Sequence, residues 1–569
     1  MLFRSSHSLP RTRNPIVAFQ RWFESGFETF REGYKGVLQM ALAARWRVVV
    51  GFMGFVLASF ALVPYLGTNF FPDVDGGQIL IHARVPVGTR VEETAARFSG
   101  IEKAIRKVIP EEEIETLVDN IGLPPSWINL IYNNTGVIGT MDGDIQIALR
   151  KGHQPTSDYV RELRKVLPEA FPDTVFSFPP ADIVSQILNF GAPAPIDIQI
   201  RGANLNANFE YANKLIKEIR RIPGVADVRI QQSAKSPAFE VNIDRSQAQN
   251  LGITPRDVTN NLVVNLAGSS QVAPTFWLNP ANGVSYGVVM QTPQYNLDSL
   301  DALTNLPVGS SNSSNSQAVL GGLSTIQRTN KNAVVSQYDI QPMVQINATT
   351  QDTDLGTVAR EVRRAIAATE ADLPKGTKVV LLGQVRTMEK AFSGLLWGLL
   401  GAVVLIYFLI VINFQSWRDP FVIVSALPAA LAGIVWMLFA TRTTLSVPAL
   451  TGAIMCMGVA TANSVLVISF ARERLAQLGD PIAAALDAGF VRFRPVLMTA
   501  LAMIIGMVPM ALGLGEGGEQ NAPLGRAVIG GLMFATVATL VFVPLLFSMV
   551  HGRERSGDQV AFSSGVSHV

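Results

Sequence analysis

Uncharged apolar residues are concentrated in six long runs along the chain. The first run follows Arg45 and Arg47, and more than 300 mostly polar residues separate it from the other five. Each run approaches or exceeds the roughly 20 residues that an α-helix needs to cross the hydrocarbon of a bilayer. Buried core helices are the alternative, but they seldom run this long without a charge. The pattern therefore predicts six transmembrane helices, one followed at a distance by five: 48–66, 393–414, 421–441, 446–471, 495–514 and 527–550.

Basic residues around these runs predict the orientation of the chain. Arginines and lysines are frequent before the first run, between the fourth and fifth runs, and after the last, and they are scarce in the alternate loops. Because cytoplasmic loops carry the excess of Lys and Arg, the leader 1–47 and the tail 551–569 are predicted to be cytoplasmic. The first run begins too late for a cleavable signal peptide, so we expect it to be retained as an anchor.

The leader itself has a helical pattern. Phe27, Phe30, Tyr34 and Leu38 recur at helical spacing, with charged residues between them. This pattern predicts an amphipathic helix on the cytoplasmic membrane surface. A helix packed against another part of the protein is the alternative.

The polar segment between the first and second runs repeats one pattern of strands and helices. Strands with a period of two alternate with helices of period 3.6: an alternating segment at 78–87 precedes a helix at 91–108, and two similar units begin at 196 and 344. The pattern predicts small α+β sandwiches of the split βαβ type. Between about 241 and 335 the pattern changes to short strands and turns, which indicates an inserted module with a loop at 310–316.

Composition and sequence motifs argue against several classes of protein function. Only 16% of residues are charged, against roughly 25% in ordinary soluble proteins. The net charge of +2 indicates no polyanionic partner, so no nucleic acid is expected. A single cysteine, Cys456, rules out an internal disulfide framework, and five scattered histidines show no metal-ligand spacing. No nucleotide-binding or hydrolase motif is found, so the protein is not expected to be an enzyme.

Several sequence strings, in this order of parts, resemble one family. The string NFFPDVDGG (69–77) follows the first run, FEVNIDRSQAQNLGITPRDV (239–258) opens the insert, and GVATANSVLVISFARE (458–473) and RFRPVLMTALAMIIGMVP (492–509) lie in later runs. Together they resemble the C-terminal half of a resistance–nodulation–division (RND) multidrug efflux permease of the acriflavine-resistance type.

This resemblance implies a bacterial inner-membrane protein, multi-pass, with a large periplasmic region. It also implies a trimer-like assembly driven by proton influx without a cofactor, working with a periplasmic adaptor protein and an outer-membrane channel. The implied divisions are a first porter subdomain at 77–180, a second at 195–240 and 336–385, a docking insert at 241–335, and five transmembrane helices within 393–550.

The chain departs from the family pattern in two ways. It matches only one of the two six-span halves, and the other half carries the family's aspartate pair. In addition, Ala462 occupies the position of the family's relay lysine. Since proton coupling needs an ionisable group at membrane depth, we expect dependence on an N-terminal permease half or a full-length RND partner. A non-energised structural partner subunit and a remnant of a split gene are the alternatives.

The remaining polar residues of the bundle have two interpretations. Asn463, Thr499 and Arg492 match family positions beside the relay, and the resemblance implies hydrogen-bond support for carboxylates of a partner half. Interhelical hydrogen bonding without any relay role explains Asn463 and Thr499 equally well, and it is favoured for Thr461 and Ser464.

With both ends cytoplasmic, the polar segment at 67–390 is predicted to lie on the far side of the membrane, and we call it the exported segment. Its aromatic residues indicate an organic substrate. Trp127 and Tyr132 lie in a Pro-, Gly- and Asn-rich stretch at the family's switch loop, and Phe178 follows on the next strand. Apolar, aromatic clefts suit organic compounds. Export of soft metal ions would need clustered methionines, and the exported segment has only the widely spaced Met141, Met290, Met343 and Met388. Organic compounds or drugs are therefore the predicted substrates.

Overall fold

The computed structural model describes most of the chain, with short gaps. The predicted substrate-binding residues Trp127 and Tyr132 lie outside the described residues, as do the predicted loop 310–316 and most of the tail. The described residues are 15–122, 136–189, 192–309, 317–515 and 517–552.

Six helices in this part of the chain are long and apolar enough to span a membrane, one before and five after the polar segment. The hydropathy pattern predicted this number and order. Most of the helices continue past the apolar runs into flanking segments that contain charged residues, so they are longer than a span of the hydrocarbon requires. Their bounds are Arg45–Tyr65, Gln384–Phe414, Arg418–Ala440, Val447–Leu478, Pro481–Ala511 and Ala522–Gly552.

The leader forms helix α1, Pro15–Ala43, followed directly by α2, Arg45–Phe60. On α1, Tyr34 and Leu38 are buried against the fifth and sixth spans, whereas Phe30 is 59% exposed. One face of α1 therefore packs on the protein, as the alternative interpretation held. Met40, about 120° around the helix from Tyr34, is 66% exposed, and this second face is available for the predicted membrane surface.

The first α+β unit follows the order βαββαβ. Its sheet has the strand order β2-β3-β1-β4 and is antiparallel, so Ile81 lies opposite Ile145. Both helices cover the same core, in which Phe98 and Leu163 are fully buried. The elements are β1 Gln78–Arg84, α3 Val91–Val108, β2 Ile114–Ile121, β3 Asp142–Leu149, α4 Thr156–Ala170 and β4 Val175–Ser177.

The second α+β unit and its insert occupy the next part of the chain. In chain order the elements are α5 Ile183–Leu188, β5 Ile196–Arg201, α6 Leu205–Ile219, β6 Val225–Ile230, β7 Ser236–Ile243, α7 Arg245–Asn250, α8 Pro255–Ala267, β8 Thr275–Leu278, β9 Ser285–Val288, α9 Leu300–Thr304, β10 Pro307–Gly309, β11 Gln317–Val319, α10 Leu320–Leu323, β12 Ser324–Lys331, β13 Ser336–Tyr338, β14 Gln341–Thr350, α11 Leu355–Ala368 and β15 Lys378–Gly383.

The second unit repeats the topology of the first. Strand β14 pairs with β6 and β5, and β5 pairs with β15, so the sheet order β6-β14-β5-β15 corresponds to β2-β3-β1-β4. Ile196, Ile198 and Ile200 on β5 are fully buried under α6 and α11. The period of two in the sequence therefore places these isoleucines on the face that the helices cover.

The insert leaves the second unit between β6 and β14. The outgoing β7 and the returning β12 pair antiparallel, and a separate small core contains Ile253, Val258 and Leu320. Strands β8 and β9 form a hairpin whose Trp277 and Tyr286 remain exposed. Strands β10 and β11, on either side of 310–316, pair antiparallel as expected for a hairpin.

The five C-terminal spans form a bundle in which the second, third and fifth of them contribute most of the buried surface. Here α14, α15 and α17 pack closely: a Cβ at Gly433 would lie 2.4 Å from the carbonyl oxygen of Gly530. Small residues let membrane helices approach in this way. The elements are α12 Gln384–Phe414, α13 Arg418–Val424, α14 Leu427–Ala440, α15 Val447–Leu478, α16 Pro481–Ala511, α17 Ala522–Val537, a π-helical turn Ala538–Phe542, and α18 Val543–Gly552.

Candidate functional site

Two of the predicted relay-supporting residues meet between α15 and α16, where Asn463 is buried and Thr499 is exposed. The hydroxyl of Thr499 on α16 donates a 3.0 Å hydrogen bond to Oδ1 of Asn463 on α15, and it also lies 2.9 Å from the carbonyl oxygen of Val496. Asn463 is buried, and both helices are apolar around it. The pair can therefore orient an amide at membrane depth, although neither side chain can itself carry a proton charge.

Ala462, at the position of the family's lysine, is exposed on α15 in the described part of the chain. Its neighbour Asn463 points into the bundle, as expected for adjacent residues about 100° apart around a helix. The described bundle therefore leaves space beside Ala462 that protein or lipid has to fill.

Arg492 does not join the Asn463–Thr499 pair. It precedes Thr499 by seven residues, which is about 10 Å along the helix axis. Its guanidinium carbon lies 4.9 Å from the centroid of the Phe470 ring, and its buried Nε has no hydrogen-bond partner. The three predicted residues therefore form a pair and a separate cation–π contact.

The two hydroxyls for which interhelical bonding was favoured behave differently from each other. Ser464 forms a 3.0 Å hydrogen bond with Thr539 of the π-helical turn, across two helices. Thr461 instead donates to the carbonyl oxygen of Met457 on its own helix, at 2.8 Å. Of these two hydroxyls, only that of Ser464 therefore links helices in the described structure.

In the exported region, Phe178 lines a cavity of about 560 Å³. The cavity lies between the exit of the first span and the two α+β units, and its walls combine the apolar side chains Phe71 and Val160 with charged groups such as Asp73 and Arg161. A space of this size and mixed lining can hold a small organic molecule. Trp127 and Tyr132, predicted to share this wall, lie outside the described residues.

An ion pair that local sequence does not reveal holds Phe178 in place. Arg164 on α4 donates to both carboxylate oxygens of Asp227, at 3.1 and 2.6 Å, and its guanidinium carbon lies 5.1 Å from the centroid of the Phe178 ring. The Phe178 backbone N–H donates to the same carboxylate at 3.1 Å. Since Arg164 and Asp227 belong to different α+β units, this pair fixes the two units against each other at the cavity wall.

The backbone of Asp227 has an unusual conformation, which the sequence alone does not indicate. Its φ of 55° is left-handed, a conformation that Asp tolerates better than most residues. The pairing of β6 with β14 shifts register at this point. The irregularity turns the Asp227 side chain from the sheet toward the first unit.

The methionines of the exported segment do not gather at one place. Met141 packs with Val85 and Ile138, Met388 packs in the core of the second unit, and Met290 is 70% exposed on the insert. Among the described residues, no group of three or more His, Cys, Asp or Glu side chains is arranged to hold a metal ion.

Comparison of the sequence with known protein families identifies the family of this chain. Residues 2–551 match the AcrB/AcrD/AcrF family. The chain belongs to this family. Its members are RND-type efflux transporters, that is, multi-pass inner-membrane proteins with a periplasmic region, and not enzymes.

Several curated relatives of this AcrB/AcrD/AcrF member are named for metal resistance. The chain is 26% identical over 534 residues to the cobalt-zinc-cadmium resistance protein CzcA of Cupriavidus metallidurans, covering 92% of this chain and 49% of that protein. It is 26% identical to the nickel and cobalt resistance protein CnrA of the same species, covering 93% and 48%. The chain thus spans about half the length of these relatives.

Solved structures agree on the fold of this AcrB/AcrD/AcrF member. A crystal structure of a heavy metal efflux pump superimposes with a TM-score of 0.77 at 22% identity, covering 93% of this chain and 52% of the other. These comparisons support the RND permease family and its fold. They do not support the acriflavine or multidrug type, which the sequence strings had suggested.

Proposed function

We propose that this chain supplies one six-span half of a proton-driven RND-type efflux transporter. The match of residues 2–551 to the family supports this most strongly. The order of parts agrees with it: one span, two βαββαβ units with an insert, then five spans. In this proposal the α+β units handle the substrate and the bundle is coupled to proton entry.

Proton coupling in this proposal depends on carboxylates from a second six-span half. No Asp, Glu, Lys, Arg or His occurs in the apolar runs of the five C-terminal spans, 393–414, 421–441, 446–471, 495–514 and 527–550. Only an ionisable group can be charged and discharged at membrane depth. Asn463 and Thr499 would provide hydrogen-bond support for a carboxylate of the partner half, which would approach from the side of the exposed Thr499 because Asn463 itself is buried.

For the substrate we propose organic compounds. The cavity beside Phe178 has about 560 Å³ and mixed apolar and charged walls, which suits amphipathic organic molecules. The dispersal of Met141, Met290 and Met388 gives soft metal ions no thioether cluster in the described region.

Heavy-metal cations are a second candidate substrate. The relatives CzcA and CnrA are named for resistance to cobalt, zinc, cadmium and nickel. Ligands for such ions could come from the second half as well as from this chain. A metal and an organic dye therefore have to be compared in the same cells.

The proposed assembly follows the family. RND pumps generally form trimers with an adaptor protein and an outer-membrane channel. The insert, with its separate core and exposed β8–β9 hairpin, would face the outer-membrane channel. A structural partner subunit without its own energy coupling and a remnant of a split gene remain the alternatives to an active half.

The test is efflux in a bacterium lacking its own pumps, with this chain expressed alone and together with a six-span half that contains the aspartate pair. We expect export of a fluorescent cationic dye only on co-expression, and its loss with a protonophore. Tolerance to Zn²⁺, Co²⁺ and Cd²⁺ in the same strains distinguishes the second substrate. Export by this chain alone contradicts the proposed dependence, and no export of either substrate class supports the remnant.

A lysine substitution tests the coupling position directly. Ala462→Lys on co-expression should change the protonophore-sensitive rate, because it adds a titratable group at the exposed side of the bundle. Leu466→Lys, one turn further along the same helix and also exposed, is the matched control for an added charge. Equal effects of both substitutions would show that Ala462 has no special place in coupling.

A further inference from the structure

A second, smaller cavity lies where the two α+β units meet edge to edge. It has a volume of about 200 Å³, close to the liquid volume of roughly six or seven water molecules. Strands β1 and β4 of the first unit form one wall, and α6 and β6 of the second unit form the other. The lining residues are His82, Arg84, Val175, Asn213, Ile216, Arg220, Arg229 and Ile230.

The polar lining of this cavity is strongly cationic. The described lining includes three arginines and one histidine, and no Asp or Glu side chain is among them. Arg229 is only 4% exposed, and none of its three guanidinium nitrogens has a hydrogen-bond partner. Buried polar groups are nearly always hydrogen-bonded, and an unpaired buried charge is costly. The structure therefore leaves five N–H donors of one guanidinium without acceptors.

The carboxylates near Arg229 have closer partners. Asp142 accepts two hydrogen bonds from Arg84, at 2.6 and 2.9 Å, and Asp144 lies 2.8 Å from Nδ1 of His82. Asp227 is held by Arg164, as described above. These carboxylates favour the charged form of Arg229 from a distance, but burial dominates and lowers its pKa to about 10.

The cavity has a polar opening on the second unit. Arg220 on the rim is exposed, and its Nη2 donates to the carbonyl oxygen of Val228 at 3.2 Å. Within the described residues, Arg220 and Arg229 form no ion pair with any carboxylate. A solute entering past Arg220 would reach Arg229 and Nε2 of His82, which has no hydrogen-bond partner among the described residues and lies 4.0 Å from Oδ1 of Asp142.

We propose that this cavity binds a small oxyanion, a phosphate or carboxylate group, through the guanidinium groups of Arg229 and Arg220. Planar guanidinium forks match the oxygen geometry of both groups. The anion would satisfy the donors of Arg229 and would bridge the first and second α+β units. This inference does not depend on the proposed transport function, because it concerns only the contact between the two units.

The test is anion-dependent thermal stability of the full chain in detergent, titrated separately with inorganic phosphate, acetate and chloride at constant ionic strength. Arg220→Gln removes the rim guanidinium, and Arg229→Met removes the buried one. Arg221→Gln is the matched control, since Arg221 neighbours Arg220 but pairs with Glu218 outside the cavity. We expect phosphate, acetate or both to raise the melting temperature of the unsubstituted chain and of Arg221→Gln.

The substitutions should weaken this response selectively. Arg220→Gln should raise the apparent dissociation constant about tenfold or more, the usual consequence of losing one charge-assisted hydrogen-bond donor. Arg229→Met should abolish the response. If Arg229→Met does not fold, the proposal is tested by comparing the anion-dependent stabilisation of Arg220→Gln with that of Arg221→Gln. Equal stabilisation of all variants would indicate general salt exclusion, and no response of the unsubstituted chain to phosphate or acetate would also overturn the proposal.

Discussion

The hydroxyl of Tyr34 donates a 2.7 Å hydrogen bond to the carbonyl oxygen of Leu540, which lies in the π-helical turn Ala538–Phe542. A π-helical turn disturbs the regular hydrogen-bond ladder of its helix. Tyr34 supplies a donor to one carbonyl there from α1, and burial raises the pKa of this hydroxyl, so it remains protonated. The leader is thereby attached to the last span.

Tyr34→Phe should destabilise the folded protein by about 1–3 kcal/mol, because a buried carbonyl loses its donor. Thermal unfolding in detergent measures the change. Tyr407→Phe is the control, since the Tyr407 hydroxyl donates an exposed 2.9 Å bond to the carbonyl oxygen of Trp417. A loss for Tyr34→Phe no larger than for Tyr407→Phe would show that the leader contact contributes little.

Thr499→Val separates a role in coupling from ordinary helix association. The substitution removes the donor to Asn463, and an interhelical bond in a membrane is worth about 0.6 kcal/mol on average, so stability should change little. Proton-driven efflux on co-expression with the second half should fall well below that of the unsubstituted pair.

Ser464→Ala is the matched control for Thr499→Val. It removes the bond to Thr539, which has the same length of 3.0 Å and also joins helices, but it leaves Asn463 and Thr499 intact. Equal efflux by the two variants would show that the Asn463–Thr499 bond serves packing alone.

Gly433→Ala should destabilise the bundle by about 1–3 kcal/mol, as overpacking of a tight contact does. The added Cβ would lie 2.4 Å from the Gly530 carbonyl oxygen and 2.7 Å from the Phe534 Cβ. Gly458→Ala is the control, since a Cβ there meets no atom within 4 Å, and replacing a helical glycine by alanine gains up to about 1 kcal/mol. Unfolding of both variants in detergent checks the difference in sign.

Asp119→Asn should change how stability depends on pH. Burial first, and then the hydrogen bond and charge of Glu102, raise the pKa of Asp119 to about 7. In the unfolded chain Asp titrates near 3.9, so folding favours the protonated carboxyl, and this stability is lost as pH rises from about 4 to 7. Asp119→Asn should therefore melt at a higher temperature than the unsubstituted chain at pH 8.

The difference between Asp119→Asn and the unsubstituted chain should shrink toward pH 4, where both forms are uncharged at this position. Glu115→Gln removes an exposed carboxylate from the same strand β2 and serves as the control. A constant difference between pH 4 and pH 8 would show that Asp119 is not protonated in the folded protein.

Local periodicity predicted the elements well, because burial acts on each one separately. The helix predicted at 91–108 has those bounds in the structure, and Ile196, Ile198 and Ile200 alternate into the core as their spacing indicates. The family strings selected Asn463 and Thr499, and the structure joins them. Arg492 has a different environment, since spacing along a helix does not state which neighbours its side chain meets.

The sequence by itself determined the six apolar helices, the repeated α+β pattern and the family, since these depend on residue type and local period. Only the tertiary structure decided that Arg164 pairs with Asp227 and that Arg229 is buried without an acceptor. Both arginines resemble ordinary surface residues in the sequence. Arg164 and Asp227 are 63 residues apart in the chain, and His82 and Arg84 of the first unit line the cavity beside Arg229, so both environments depend on how whole units pack.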